Sequence, residues 1–242
     1  DAVEAGFRGI FFDGLLSMDG AIFYYKYEDY QVFLFNDQAN IPPTLVIKNA
    51  KSTEQYGVEI DVYAEPLRDV LPEDWWGPQV TGRFSWLRSR FLDFTNRRTI
   101  AAVGSGGVLV EIVDYSGNSL PNSPNFKFSG TVEWPMDFGS YGSVVPRYDF
   151  AWTDDLFFDP SNGVGVARTG PLPDLALGQP AYMTHNLRLT YRNPESTVEV
   201  AFWVRNLTDQ RYRSYAFDAS TFSNVILNFV GEPRSMGVDL AL

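Results

Sequence analysis

The sequence predicts an all-β fold whose strands form a segment of an antiparallel transmembrane β-barrel, and three observations lead to this class. Aromatic residues make up 16% of the 242 residues, and the long runs of Ala, Leu, Glu and Lys that build helices do not occur. Segment after segment alternates apolar and polar residues with the period of two that a strand requires. The connections alternate between short and long, and short turns at one end with long loops at the other are typical of membrane barrels.

Composition excludes several other classes of protein. The net charge is −11 and no Lys/Arg-rich block occurs, so we expect no nucleic-acid partner. There is no cysteine and His185 is the only histidine, so we expect no disulfide, no metal site, no cofactor and no catalytic residues. No apolar run approaches the roughly 18 residues of a membrane helix, and the amino-terminal residues do not resemble a signal peptide. Barrel strands are only half apolar, so a search for long apolar runs does not detect them.

The first half of the chain contains four predicted strands. Residues 2–11 alternate, Asp13 and Gly14 predict a tight hairpin turn, and the return strand runs from Leu15 to residue 35. That strand exceeds the usual length of about 5–6 residues in soluble proteins. The following segments are a loop (36–43), a strand (49–66), a connection (66–78), a strand (79–91) and a long external loop (92–124).

The connection 66–78 holds Trp75 and Trp76, whose amphipathic rings suit a water–lipid boundary. A buried aromatic cluster under the loop is the alternative.

The second half of the chain contains five predicted strands: 125–134, 145–155, 182–192, one at the start of residues 197–213, and a closing strand at 236–242. Short turns follow the first and third of these strands, a long loop (156–180) follows the second, and a loop or strand extension (210–232) precedes the last. The total is about nine strands.

The charged residues of these strands fall on the face opposite the apolar residues. Such a face could line the wet interior of a barrel whose other face contacts lipid, or the outside of a soluble β-sandwich. The residues are Glu59, Asp61, Arg83, Lys127, Glu133, Arg147, Asp149, Arg188, Glu199, Arg205 and Asp239.

The residues from position 206 onward, NLTDQRYRSY…FVGEPRSMGVDLAL, resemble the carboxyl-terminal signature of TonB-dependent outer-membrane receptors. Other stretches, such as EAGFRGIFFDGLLSMDGAIFYYKYEDYQ and GNSLPNSPNFKFSGTVEW, resemble barrel segments of the same family, so the resemblance covers nearly the whole chain. It implies a structural role for the signature residues, which are Asn206, Leu207, Asp209, Tyr212, Gly231, Glu232, Pro233 and Arg234.

The resemblance implies that residues 1–242 form the carboxyl-terminal part of a barrel of about 22 strands, as strands 14 to 22. The family's amino-terminal plug and the first strands are absent, and Leu242 stands where the family usually ends in an aromatic residue. Nine strands do not close a barrel, so we interpret the chain as a fragment, a partial structure or one piece of a split protein.

The resemblance also implies a function: TonB-dependent active transport of a scarce solute across the bacterial outer membrane, with a ferric siderophore as the expected solute. The implied partners are outer-membrane lipid and lipopolysaccharide, the missing plug and strands, TonB acting through that plug, and the small-molecule ligand. A passive porin-like channel and a soluble all-β binding module are the alternatives.

Four residues in the long loops are candidate ligand contacts. Arg97, Arg98 and Arg168 offer paired donors to an anionic or catecholate ligand, and Tyr115 offers a ring and a hydroxyl. Solvated loop charges without a ligand are the alternative.

Overall fold

The computed structural model describes residues 1–36, 44–68, 70–71, 77–101, 108–163, 166–167, 170–171, 173–219 and 225–242. The predicted boundary tryptophans, Trp75 and Trp76, lie outside these residues. The described strands are β1 (Ala2–Phe11), β2 (Leu16–Asn36), β3 (Thr44–Ala64), β4 (Gln79–Asp93), β5 (Thr95–Ala101), β6 (Val108–Asp114), β7 (Phe126–Glu133), β8 (Met136–Asp137), β9 (Ser143–Thr153), β10 (Leu156–Phe157), β11 (Val166–Ala167), β12 (Gly170–Pro171), β13 (Gly178–Gln179), β14 (Tyr182–Arg192), β15 (Glu199–Arg205), β16 (Arg213–Asp218), β17 (Ile226–Val230) and β18 (Ser235–Ala241).

Nine of these strands form one continuous antiparallel sheet. Its order is β1-β2-β3-β4-β7-β9-β14-β15-β18, and the two-residue strand β8 pairs with β9 beside this path. The connections β1–β2, β7–β9 and β14–β15 are short and lie at one end of the sheet, which we call the turn end, together with the longer β3–β4 connection; the three longest connections lie at the other, the loop end, together with the shorter β2–β3 connection. The all-β class and the predicted nine strands are thus confirmed.

Three predicted loops contain paired strands, and in 156–180 these are the two-residue pairs β10–β13 and β11–β12. The segment 92–124 folds back on itself through the pair β5–β6, and residues 210–232 contain the pair β16–β17. The long connection 92–124 thus contains a hairpin that the sequence pattern did not indicate. Its sequences TNRRTIA and VLVEIVD are rich in β-branched residues, which favour pairing with each other over an irregular loop.

Cross-strand pairing sorts the side chains of the sheet onto two faces. Phe84 pairs with Phe128, which pairs in turn with Trp152, while the residues between them carry polar groups. The apolar face comprises Val3, Phe7, Ile22, Val58, Ile60, Phe84, Phe128, Val132, Phe150, Leu187, Leu189, Val200, Phe202, Val238 and Leu240. The polar face carries the eleven charged residues predicted to share it, from Glu59 to Asp239. The predicted register is confirmed.

The apolar face is not covered by other described residues. Phe7, Ile22, Leu189, Phe202 and Val238 expose between 49% and 66% of their surface. A contiguous exposed apolar surface of this extent is typical of contact with lipid or with another protein.

The buried core lies at the loop end. It consists of Val32, Ala50, Phe91, Phe94, Tyr115 and Leu120. The strands β2 and β3 pair over 21 residues each, whereas β1 covers only ten residues of β2. The parts of β2 and β3 that extend beyond β1 enclose this core together with the β5–β6 hairpin. The long connections at the loop end therefore have a packed core of their own.

Candidate functional site

The polar face carries a network of ion pairs centred on two neighbouring arginines. Arg147 of β9 and Arg188 of β14 occupy paired positions, so their like charges must each be compensated. Arg147 donates to both oxygens of Asp149 at 2.8–3.1 Å and to Glu133 at 3.3 Å. Thr131 donates a further hydrogen bond to Asp149 at 2.7 Å. The planar guanidinium can donate to both carboxylates at once, in a fixed geometry that the single ammonium group of a lysine does not provide.

The second arginine has a separate set of acceptors. Arg188 lies 2.7 Å from Asp239 of β18 and 3.7 Å from Glu199 of β15. Trp203 donates its indole N–H to the same Asp239 carboxylate at 3.1 Å, and Arg192 donates to Glu199 at 2.7 Å. The ion pairs of Arg147 therefore join β7 to β9, and those of Arg188 join β14 to β15 and β18, on the same face of the sheet.

A groove of about 400 Å³ lies along the polar face between β3 and β9. Asp61 and Arg83 form an ion pair of 3.1 Å at its side, and Lys127 lies in the same lining. The groove therefore presents both signs of charge to whatever fills the space beside this face.

The four candidate ligand contacts are not brought together within the described residues. Arg97 lies on β5 opposite Ile112, and both side chains are exposed. Arg98 follows on that strand opposite Glu111, but its side chain and the whole of Arg168 lie outside the described residues. Tyr115 is only 6% exposed, with its ring 5.5 Å from that of Phe94.

Three loop segments interlock at the loop end. The side-chain amide of Asn118 donates to the carbonyl of Pro160 at 2.7 Å. Asn162 accepts from the backbone N–H of Ser119 at 2.7 Å and donates to the Ser119 carbonyl at 2.9 Å. The backbone N–H of Phe158 donates to the carbonyl of Leu177 at 2.8 Å. Residues 157–163 are therefore held by residues 117–122 on one side and by residues 175–178 on another.

The β16–β17 hairpin joins the same assembly. The backbone N–H of Arg213 donates to the side chain of Gln179 at 2.7 Å, and the Arg213 guanidinium donates to the carbonyl of Ala176 at 3.0 Å. The ring of Tyr215 lies 5.7 Å from that of Phe158.

Asp159, which is partly buried, lies among the residues that make these contacts. Burial, with a smaller contribution from the charge of Asp218, raises the pKa of Asp159 to about 6. Hydrogen bonds from the Ser161 hydroxyl, at 2.8 and 3.0 Å, and from the backbone N–H groups of Ser161 and Gly163 act in the opposite direction. Sequence reasoning missed this junction: the motif Asp-Pro-Ser-Asn-Gly indicates a turn but does not show its distant partners.

The signature residues meet around Asn206, which is 5% exposed and has a φ of 48°. Its side chain accepts from the N–H of Gln210 at 2.8 Å and donates to the carbonyls of Gln210 and Glu232 at 3.0 Å. Asp209 accepts from the N–H of Arg234 at 3.1 Å. Asn tolerates the left-handed backbone that this turn requires. The end of β15 is thereby tied to the start of β18.

A glycine lies beneath an aromatic ring in the same region. The N–H of Gly231 donates to the carbonyl of Tyr212 at 2.8 Å, and a Cβ atom at Gly231 would lie 2.1 Å from the Tyr212 ring. That ring stacks on Tyr182 with centroids 4.5 Å apart. Any Cβ atom at position 231 therefore requires the Tyr212 ring to shift from its stacked position on Tyr182.

Other classes of site find no support in the part of the chain that the structure describes. The helices in these residues are two three-residue turns, Phe12–Gly14 and Gly139–Tyr141, and neither could cross a membrane. Within the described ranges, no group of three or more His, Asp or Glu side chains is arranged to hold a metal ion. His185 instead contacts the hydroxyl of Tyr148 at 2.6 Å.

Comparison with known proteins places these features in a family. The family described as TonB dependent receptor-like, beta-barrel matches residues 1–207, so most of the carboxyl-terminal signature lies beyond the matched range. The fold is similar to the ferric yersiniabactin uptake receptor FyuA from Yersinia pestis, with a TM-score of 0.66 and 20% identity, over 99% of this chain and 29% of that one.

Two further structures show the same fold. The siderophore receptor PiuA from Acinetobacter baumannii has a TM-score of 0.61 and 18% identity, over 99% of this chain and 27% of that one. The unliganded ferric citrate transporter FecA has a TM-score of 0.63 and 19% identity, over 100% of this chain and 30% of that one. This chain thus spans about three tenths of the length of each. With most of its residues matched, the chain belongs to the TonB-dependent receptor-like β-barrel family.

Proposed function

We propose that this chain forms the carboxyl-terminal wall of a TonB-dependent outer-membrane receptor that imports a scarce solute, with a ferric siderophore as the solute class. One observation carries the proposal: a continuous nine-strand sheet of this family separates an exposed apolar face from an ion-paired polar face. In the complete barrel these strands are numbers 14 to 22 of about 22. The proposal includes no catalytic role.

The apolar face is the surface that contacts outer-membrane lipid and lipopolysaccharide. Several of its side chains, among them Phe7, Ile22 and Val238, are half exposed or more, and contact with lipid removes the cost of leaving this apolar surface in water. The ten-residue pairing of β1 with β2 has the length that a tilted strand needs to cross a bilayer.

The polar face lines the interior of the barrel. Its ion pairs are tolerated there because the interior is wet, whereas the same charges facing the bilayer centre would cost about 2–4 kcal/mol each. The remaining strands and the plug belong to the part of the receptor outside residues 1–242. TonB acts through that plug to open the path.

The loop end captures the solute. Arg97, Arg98 and Arg168 supply cationic donors for an anionic or catecholate ligand, and Tyr115 supports the hairpin that carries the first two from within its core. The iron-related solutes named for FyuA and FecA support the siderophore class. The residues around Asn206 hold β15 to β18 and have a structural role.

The intact mass of the natural polypeptide tests the first part of the proposal. A mass of about three to four times 27.3 kDa, measured on protein from native outer membranes, agrees with a fragment of a 22-stranded receptor, since this chain covers 27–30% of the similar receptors. A mass near 27.3 kDa contradicts that interpretation and requires a separate partner that closes the barrel.

Uptake tests the second part. Cells without other siderophore receptors that express the complete polypeptide should accumulate radioactive iron from ferric siderophores only when TonB and the proton-motive force are present. Uptake that continues without TonB indicates a passive channel. A polypeptide that remains in the aqueous phase without detergent indicates the soluble alternative. Arg97→Ser should reduce uptake, whereas Arg8→Ser, which is exposed in the sheet near the turn end, should not.

A further inference from the structure

Two arginines, Arg88 and Arg90, lie at the loop end of β4 on the side of the sheet that continues the apolar face, which we call the outward side. The arginines alternate along this strand with Ser89 and Phe91, which are 7% and 0% exposed. Phe91 belongs to the loop-end core, so the side of the strand with these two residues is packed. Both guanidinium groups therefore lie on the same side as Trp86 and the apolar residues before it.

The height of the two arginines corresponds to the outer edge of a barrel's apolar band. Val80 is the first outward residue of β4, and Arg88 follows about 27 Å further along the strand, at about 3.4 Å per residue. A strand tilt of about 40° reduces this to a height of about 21 Å, and Arg90 lies about 5 Å higher, against an apolar band of about 25 Å. The rings of Tyr56 and Trp86 meet edge to face at 5.9 Å at this level, as is typical of a water–lipid boundary.

The two guanidinium groups retain hydrogen-bond donors that the rest of the described chain does not use. Nε of Arg90 donates to Glu54 at 2.5 Å, and the same carboxylate accepts from the Tyr24 hydroxyl at 3.3 Å. Glu54 is thereby held between β2 and β4 and fixes the position of Arg90, whose side chain remains 55% exposed. Within the described residues, Arg88 forms no ion pair, and its side chain has one long hydrogen bond of 3.5 Å to Asn125.

The charges in the row of Arg90 alternate in sign, whereas Arg88 has no charged neighbour in its own row. The row of Arg90 reads, from β1 to β4, Asp1, Lys26, Glu54 and Arg90. Arg88 lies one row closer to the apolar face, and its row continues through Tyr56 and the tyrosine of β2 to a valine of β1. An uncompensated cation at the edge of a lipid-facing surface has a natural counter-ion in an anionic lipid headgroup.

We propose that Arg88 and Arg90 bind a phosphate group of lipid A, the membrane anchor of lipopolysaccharide. The inference rests on the proposed function for its orientation, because the loop end of an outer-membrane receptor faces outside and the lipid there is lipopolysaccharide. The two residues are about 6.8 Å apart along the strand, so their unused N–H groups can converge on one phosphate through charge-assisted hydrogen bonds. The acyl chains then lie along the outward residues of β4 from Trp86 to Val80.

Titration of the complete natural polypeptide with lipid A tests this contact. The protein is kept in detergent, synthetic bisphosphorylated lipid A is added, and the bound lipid is counted by native mass spectrometry. The contribution of one cation beside an anionic lipid surface corresponds to about a fivefold change in Kd. Arg88→Ser should therefore raise the Kd about fivefold, and the double variant Arg88→Ser/Arg90→Ser about thirtyfold.

The matched control is Arg83→Ser. Arg83 lies on the same strand but on the polar face, where it pairs with Asp61, so its removal should leave the Kd for lipid A unchanged. Heat-modifiable electrophoretic mobility identifies the variants that are folded. A rise in Kd for Arg83→Ser equal to that for Arg88→Ser would overturn the assignment of the contact to the outward side.

The parent protein alone also decides the proposal, so a variant that misfolds does not remove the test. It should bind bisphosphorylated lipid A at least about tenfold more tightly than the same lipid without its phosphates. Equal affinity for these two lipids, or an unchanged Kd in the folded double variant, would overturn the proposal. Equal affinity for phosphatidylglycerol would also overturn it, because the pair would then serve any anionic lipid. The titration contains no siderophore, so a negative result leaves TonB-dependent uptake intact, and a failed uptake test leaves the lipid A result unchanged.

Discussion

Replacing Phe128 by arginine puts a charge into the middle of the apolar face. The ring of Phe128 lies 5.3 Å from that of Phe150 and is 44% exposed. An arginine near the bilayer midplane costs about 2–4 kcal/mol, and loss of the aromatic pair adds about 0.5–1.5 kcal/mol. We therefore expect Phe128→Arg to lower the free energy of unfolding by about 3–5 kcal/mol.

The assay is reversible unfolding of the complete polypeptide in lipid vesicles with guanidinium chloride, followed by tryptophan fluorescence. The matched control is Ala151→Arg. Ala151 pairs with Ser129, the neighbour of Phe128, so it lies at the same depth but on the polar face. There the added guanidinium meets water and polar side chains, and the free energy should change by no more than about 0.5 kcal/mol.

The difference between the two variants refutes or supports the assignment of the faces. An equal loss in both would mean that arginine is disfavoured at this depth whatever its face. No loss in Phe128→Arg would mean that the apolar face does not contact lipid.

Five further substitutions have defined outcomes. Val200→Arg, on the apolar face, should prevent membrane assembly, whereas Arg188→Ser, on the polar face, should leave it intact as judged by heat-modifiable electrophoretic mobility. Equal tolerance would contradict the register. Gly231→Ala should cost about 1–3 kcal/mol because its Cβ atom would overlap the tyrosine ring. Gly82→Ala, where a Cβ atom meets nothing within 4 Å, should have no such cost in the same unfolding assay. Asn206→Ala should cost about 2–4 kcal/mol, since it leaves buried partners unsatisfied at a left-handed residue; a change below about 0.5 kcal/mol would contradict its structural role.

The pattern of the strands was predictable because it depends on local chemistry. Alternation such as that of residues 126–133 has a period of two whichever strands lie beside it, and a slip by one residue would turn Phe128 and Lys127 to the wrong faces. The sequence of short and long connections then leaves neighbouring strands antiparallel and adjacent. The face of each charged residue and the order of the nine strands follow from these two rules.

The contacts of the loops were not predictable because they join positions that are distant in sequence. Asn118 and Pro160 are 42 residues apart, and nothing in either stretch indicates the other. Tyr115 was predicted as a ligand contact from its loop position, yet it lies in a buried cluster with Phe94. Its contact with a ligand stays a prediction, as does that of Arg97. The position of Asp159 among three loop segments likewise follows only from the folded structure.

The most direct test of the two faces uses the absence of cysteine from the chain. Single cysteines at positions 126 to 133 of the complete polypeptide, with every cysteine outside residues 1–242 replaced by serine, would be labelled with a fluorophore in vesicles that contain nitroxide lipids. We expect strong lipid quenching at positions 126, 128, 130 and 132, and weak quenching at 127, 129, 131 and 133. Quenching that does not alternate, or that is weak at all eight positions, would contradict a lipid-facing apolar surface.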